Sequence, residues 1–393
     1  LVVTYVPVAV DSFCSTGATQ HQLHAHGAAA RPYADDAHTA RASAVDTAAA
    51  PAADNTPTTP AHPVNDDRGS VGISSSSSSE RFESFAKFLM EAQAAICLEA
   101  QASDGRASFC TDRWEREGAS KGFGITRVLE GGELLEKAAC SVSVIHGVLT
   151  PERAQAMSSR GRANIDSAGG QAYSAAAMSL VFHTASPLVP TFRADVRYLE
   201  VAGEGWFGGG ADLTPYYLND GDVEEFHRFY KDICDRYDSK AYPRFKKWAD
   251  DYFFIPMRRE HRGVGGIFFD DLELIGEEEA GKVKDVESFV REVALGFMPS
   301  FLPLAERRGR EPFSEKQRQW QLMRRGRYLE FNLLYDRGVK FGLSGGRVES
   351  IMVSAPPLVS WAYNHIPEEG SEEDKLLTIL RNPREWVSKM GCM

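Results

Sequence analysis

The sequence has few cysteines, and none are placed to act together. Cys14, Cys97, Cys110, Cys140, Cys234 and Cys392 are scattered, and no two have C-x-x-C spacing. That spacing argues against a zinc site or a local redox pair and fits a reducing compartment. No stretch approaches the roughly 18 unbroken apolar residues of a membrane-spanning helix. Basic residues are also in deficit: 44 Lys and Arg stand against 55 Asp and Glu, a net charge of −11. A nucleic-acid binder carries the opposite balance. There is no G-x-x-x-x-G-K-[ST] phosphate loop and no G-x-S-x-G elbow, and Gly263-Val264-Gly265-Gly266 lacks the dinucleotide-binding spacing. His146, His183, His227, His261 and His365 include no pair at metal-ligand spacing, which leaves a two-His-one-carboxylate iron site without support. An enzyme written in this chain works without a metal or dinucleotide that the sequence displays.

Residues 1–79 differ from everything after them. They are rich in Ala, Thr, Pro, Ser and His, contain no Lys, three Arg and seven Asp, and end in the run Ser74–Ser79. Without apolar periodicity such a stretch cannot bury enough surface to fold. It reads as a disordered leader of organelle-targeting type, plastid first, with mitochondrion or cytoplasm as alternatives, although its acids are many for a transit peptide. The folded domain is expected over 80–393.

Within that domain, Phe82, Phe85, Leu89, Ala92 and Ile96 recur at three and four, which predicts a helix. Phe109–Trp114, Gly124–Leu129, Ser141–Ile145, Ala175–His183 and Ala194–Val201 read as strands, and Thr150-Pro151-Glu152 starts a helix. Further helices are expected from an Asp222 cap, over Tyr242–Phe254, over Asp285–Leu304 as one long element, and from Ser314 to about Arg325. Gly263–Leu272 reads as a β segment. Tyr328–Tyr335 and Val348–Ala355 read as two strands joined through Gly345 and Gly346. A closing helix is expected from Glu372, with another over Asn382–Met390. Strands mixed with helix pairs, without βαβ alternation, predict an α+β fold whose large sheet is mostly antiparallel and packed between helices.

Trp206–Leu218 stands out. Gly208, Gly209 and Gly210 remove three side chains in succession, and Asp212 follows at once. Taken alone, a glycine turn between strands is the simpler reading. The alternative is a place where a ligand approaches the main chain, beside a carboxylate tuned by burial. Arginines cluster near other glycine-rich segments: Arg193 with Arg197; Arg258, Arg259 and Arg262; Arg324, Arg325 and Arg327; Arg337 and Arg347. Any one of them is more simply paired with a surface carboxylate. Together, in an acidic protein, they predict a cleft for an anionic ligand.

Three long motifs carry a resemblance. Trp206–Leu218, Tyr242–Leu272 and Gly326–Ser350 closely resemble oxygen-dependent coproporphyrinogen III oxidase, and the likeness runs from about residue 81 to the end. The resemblance implies a homodimeric enzyme of porphyrin biosynthesis, for haem or chlorophyll. It implies oxidative decarboxylation of two propionates of coproporphyrinogen III to vinyls, giving protoporphyrinogen IX. It further implies molecular oxygen as the co-substrate and no metal or organic cofactor. By position, Asp212 matches the carboxylate that contacts the pyrrole N–H groups, with Arg197 and Arg193 beside it as catalytic candidates. Ser179, Asp195, Val196, Arg197 and the turn Gly345-Gly346-Arg347 match substrate-binding positions. The segment from Tyr328 to Trp361 matches the dimer contact. The chain departs from the pattern where the family has a proton-donor His and then an Asn; here stand Arg193 and Asp195. Arginine stays protonated to a pKa above about 12 and donates no proton near neutrality. Proton delivery then runs through water or His183, or the chain is a divergent paralogue that binds porphyrinogen with little turnover.

Overall fold

The computed structural model describes residues 75–387 apart from 117–120, 159–161, 163, 274–277, 280–281, 284 and 344–346. The first helix, α1 (Ser75–Asp104), takes in the last serines of the run that was assigned to the leader. The rest of the leader, and any targeting signal in it, lies outside the described residues.

Seven strands form one antiparallel sheet in chain order: β1 (Cys110–Glu115), β2 (Lys121–Glu130), β3 (Leu135–Val148), β4 (Ala172–Thr184), β5 (Thr191–Val201), β6 (Glu204–Thr214) and β7 (Gly265–Glu273). The short helix α2 (Pro151–Ser158) bridges β3 and β4, while α3 (Asp220–Tyr237) and α4 (Ala241–Tyr252) bridge β6 and β7. Two further two-residue strand pairs, at 254–255 with 260–261 and 278–279 with 282–283, stand apart from the sheet. After β7 come α5 (Val286–Leu295), α6 (Phe297–Gly309), α7 (Glu315–Leu334), α8 (Arg337–Leu343), α9 (Val348–Met352) and α10 (Glu372–Arg381).

Strand residues alternate between two faces. One face presents Ala138, Cys140, Val142, Met178, Leu180, Phe182, Phe192, Val196 and Phe207 to α1, α3, α5 and α6 in a single apolar core. Phe192 stacks on Phe301 at 5.0 Å between ring centres. The other face carries α7, α8 and α9, held by smaller clusters such as Ala139, Val181 and Tyr328 with Val353. The sheet therefore lies between helices, as expected.

Several elements differ from the reading of the sequence. The three glycines lie inside β6, not in a turn. A Cβ on Gly208 would stand 2.7 Å from the Arg197 guanidinium carbon and 2.6 Å from Asp270 Oδ1, so bare backbone is what lets that ion pair cross the strand. Asn219, not Asp222, caps α3; Asp222 sits in the first turn, where it pairs with Arg307 and Arg308. The single helix expected over Asp285–Leu304 breaks at Gly296, where a Cβ would meet the Phe229 ring at 2.8 Å. Tyr328–Leu334 is helical. The Ser314–Gln317 capping box starts α7, and Trp320, Arg324, Tyr328 and Phe331 bury one side of it at helical spacing. The arginines on that buried side hid the period. Val348–Met352 is also a helix, with no buried residue, so its β-branched run has no sheet edge to join. No helix follows α10 up to Val387.

Asp104 ties α1 to the β2–β3 connection. Its carboxylate accepts from the backbone N–H groups of Arg106, Ala107, Glu133, Leu134 and Leu135, at 2.8 to 3.3 Å. Burial works against its charge, but these donors outweigh it and hold the pKa below the ordinary aspartate value. Asp104→Ala should lower stability by about 2–4 kcal/mol, since buried donors lose their acceptor. The stabilisation is full above the unfolded pKa of about 3.9 and is lost as pH falls through the lower folded pKa. Urea titrations of parent and variant across that window should converge at the acid end.

Candidate active site

The register sets out the face opposite the main core as rows. Thr126, Ser141, Ser179, Asp195 and Gly210 are successive partners across β2 to β6. One row along, Gly124, Ser143, Ala177, Arg197 and Gly208 are partners; on the other side, Ala139, Val181, Arg193, Asp212 and Gly266 are. Small residues therefore floor the middle of the sheet, and charges stand along β5 and β6. A flat floor without bulky side chains suits a broad, flat ligand. Between it and α8–α9 lies a cleft with about 600 Å³ of empty space open to solvent, lined by Ser141, Ser179, Arg193, Asp336, Ser350 and Ser354 among others. Ligand pockets of about 300–1,000 Å³ are common.

Asp212 is 5% exposed and pairs with Arg262 at 2.5 Å. Arg262 is itself buried, stacked 4.0 Å from the Phe253 ring centre and 4.9 Å from those of Tyr328 and Phe331, with one nitrogen on the Asn332 side-chain oxygen at 3.4 Å. Burial raises the Asp212 pKa, and Arg262 and Arg193 only partly offset this. Asp212 is thus a buried carboxylate that holds a proton more readily than an ordinary aspartate and is paired from behind with Arg262.

Arg197 is held by two acids, Asp195 at 2.5 Å and Asp270 at 3.1 Å. Burial opposes its charge, yet these carboxylates keep it protonated beyond the ordinary arginine range. Arg193 differs. It lies across from Asp212 in the β5–β6 register and lines the cleft, and among the described residues it makes no ion pair. Burial opposes its charge too, but Tyr328, Asp336, Asp195 and Asp212 surround it and hold it cationic. A cation so placed has its charge available to an incoming anion.

Of the residues singled out by sequence, Asp212, Arg193, Asp195, Arg197 and Ser179 share this face. Val196 does not: its side chain turns to the opposite face and is fully buried in the main core, as strand alternation requires. Gly345 and Gly346 lie outside the described residues. Arg347 stands at the start of α9, paired with Asp112 of β1 at 2.8 Å. The arginine clusters do not converge on one ligand site. Arg324 pairs with Glu260, Arg325 with Glu136, and Arg258 and Arg327 with Glu330. His183 is committed on both nitrogens: its Nε2 donates to the Ser354 carbonyl at 3.0 Å, Nδ1 faces the Thr191 hydroxyl at 3.2 Å, and burial with Arg325 nearby holds its pKa well below normal. Tyr328, Asn332 and Asp336, which lie within the Gly326–Ser350 motif but were not singled out as site residues, stand on α7 and at its end. Only the helical period of α7 would have placed them.

The family model described as coproporphyrinogen III oxidase matches residues 84–386. The chain is 46% identical over 324 residues to the chloroplastic oxygen-dependent coproporphyrinogen-III oxidase of Glycine max, covering 80% of this chain and 81% of the relative. It is 46% identical over 306 residues to the mitochondrial enzyme of Homo sapiens, covering 76% and 66%. It is 45% identical over 331 residues to the chloroplastic coproporphyrinogen-III oxidase 1 of Arabidopsis thaliana, covering 82% and 83%.

Proposed function

The chain belongs to the coproporphyrinogen III oxidase family, and from that premise we propose how its cleft carries out the oxygen-dependent oxidative decarboxylation of coproporphyrinogen III in porphyrin biosynthesis. The macrocycle lies on the floor of small residues between Thr126 and Gly210. Asp212 accepts from the pyrrole N–H groups, and Arg262 behind it keeps the carboxylate in place. Arg193 takes the carboxylate of the reacting propionate. Arg197, already shared between Asp195 and Asp270, supports that edge of the site, and Ser179 supplies a hydroxyl on the floor. The observation that carries this reading is the pairing of a buried carboxylate and an uncommitted cation in one register position, Asp212 and Arg193. Oxygen is the oxidant, and no metal or organic cofactor takes part. The reaction is tested by giving the purified protein coproporphyrinogen III in air. Protoporphyrinogen IX and carbon dioxide should form, and argon should stop both. A folded protein that makes neither would favour the porphyrinogen-binding paralogue.

The leader's composition and the chloroplastic relatives support a plastid location. A homodimer built on the segment from Tyr328 to Trp361 is supported by apolar exposure there. Leu333, Leu334, Leu358 and Trp361 stand 39 to 54% exposed, and clustered exposed apolar groups mark interaction surfaces. Leu333→Asp should weaken the dimer by about 2 kcal/mol or more and shift light scattering toward monomers at unchanged far-UV dichroism. An unaltered dimer would remove Leu333 from the contact.

A further inference from the structure

The Tyr328 hydroxyl has no well-aligned hydrogen-bond partner among the described residues. The residue is 1% exposed, and its oxygen makes no hydrogen bond of good geometry, although the Asn332 amide lies beside it. Its ring packs with Ala139 and Val181, in the row that continues through Arg193 and Asp212, and stands edge-on to His183 at 5.3 Å. The Arg262 guanidinium lies 4.9 Å from its ring centre. Ala139, Val181 and Val353, its apolar neighbours, all line the cleft. A buried phenol left without a partner costs about 1–3 kcal/mol, so its place calls for an explanation.

Resting on the reading of the cleft given above, we propose that Tyr328 is a catalytic residue, whose hydroxyl hydrogen-bonds the reacting groups and supplies the proton that each decarboxylation consumes. The balance requires such a donor. A carbon–hydrogen bond of the propionate and the bond to its carboxylate both break. A carbon–carbon double bond forms and carbon dioxide leaves. Dioxygen takes the hydrogen with its two electrons, plus one proton, and becomes hydrogen peroxide. Arg193 cannot give that proton, and His183 is neutral and committed to Ser354 and Thr191. The phenol stands among Arg193, Arg262 and Asp212, and the two guanidiniums stabilise the phenolate until water returns the proton. Burial pushes the phenol pKa up, so it is protonated at neutral pH despite both cations.

Tyr328→Phe separates this role from a structural one. The substitution deletes only the unpartnered oxygen, so the melting temperature should hold or rise. Positioned general acids contribute roughly 10²–10⁴-fold, so kcat for vinyl formation should fall by about 10² or more. KM should stay within about twofold, and any loss of kcat at alkaline pH due to Tyr328 ionisation should vanish. Turnover within about twofold of the parent overturns the proposal, and so does a fall in kcat matched by a loss of fold. Asp212→Asn assayed alongside locates the failure. If it loses turnover while Tyr328→Phe does not, only the proton donor is wrong. If neither loses turnover, the reading of the cleft fails with it.

Discussion

Asp212→Asn should lose turnover by roughly 10²–10³-fold, the scale set by removing one preorganised electrostatic contact from an active site. Two features of the fold make the effect large. The carboxylate is buried on β6 with its charge matched by a caged Arg262, so no water and no mobile side chain can substitute for it. An amide keeps one acceptor for Arg262 but offers the pyrrole N–H groups a weaker partner. Removing one member of a buried pair also costs stability, about 3 kcal/mol, so kcat must be measured well below the melting transition. The pH dependence follows from the direction of the shift. Burial raises the Asp212 pKa, so the parent should lose activity on the acid side at a higher pH than an ordinary aspartate, and the Asn variant should lack that limb. For stability the sign is opposite to that of Asp104. A raised folded pKa favours folding below the unfolded pKa, and that advantage is lost as pH rises through the folded one. Asp212→Asn should remove that slope.

Arg193→Gln should raise KM about tenfold to a hundredfold, with a smaller change in kcat. A hydrogen bond to a charged group contributes about 1.5–3 kcal/mol, and each 1.4 kcal/mol is a factor of ten. Arg193 contrasts with Arg197 in this respect. Arg197 is charge-balanced by Asp195 and Asp270, whereas Arg193 faces the cleft without an ion pair among the described residues. Arg197→Gln should therefore act mainly through stability, by removing the cation that Asp195 and Asp270 share. Initial rates across substrate concentration for both variants, beside their melting curves, check the distinction. Equal KM for parent and Arg193→Gln would assign Arg193 to scaffolding.

The fold class was legible because the strands alternate cleanly and the helices around them carry apolar faces at three and four. Asp212 stands out in the sequence because three glycines precede it, although taken alone they read more simply as a turn, and its assignment to the site rests on the family resemblance. Their actual use is local: Gly208 clears the path of the Arg197–Asp270 pair. The partner of Asp212 was not legible, since Arg262 lies 50 residues away in sequence and only the β6–β7 pairing brings its segment alongside. Tyr328 and Asn332 were missed because α7 buries Arg324 and Arg325 among its apolar residues, which broke the pattern and left a β-like run. Val196 shows the opposite lesson. It sits one residue from Asp195 and from Arg197, and strand parity alone sends it to the other face.

The central claim is that substrate lies on the Ser179–Gly210 floor with its ring nitrogens on Asp212 and a propionate on Arg193. A crystal structure of the protein with coproporphyrinogen III, grown under argon, tests it most directly. Pyrrole nitrogens should lie within about 3 Å of the Asp212 carboxylate, with a propionate paired with Arg193 and the Tyr328 hydroxyl at hydrogen-bonding distance from that propionate. A macrocycle bound elsewhere, or one whose nitrogens leave Asp212 paired with Arg262 alone, would contradict it.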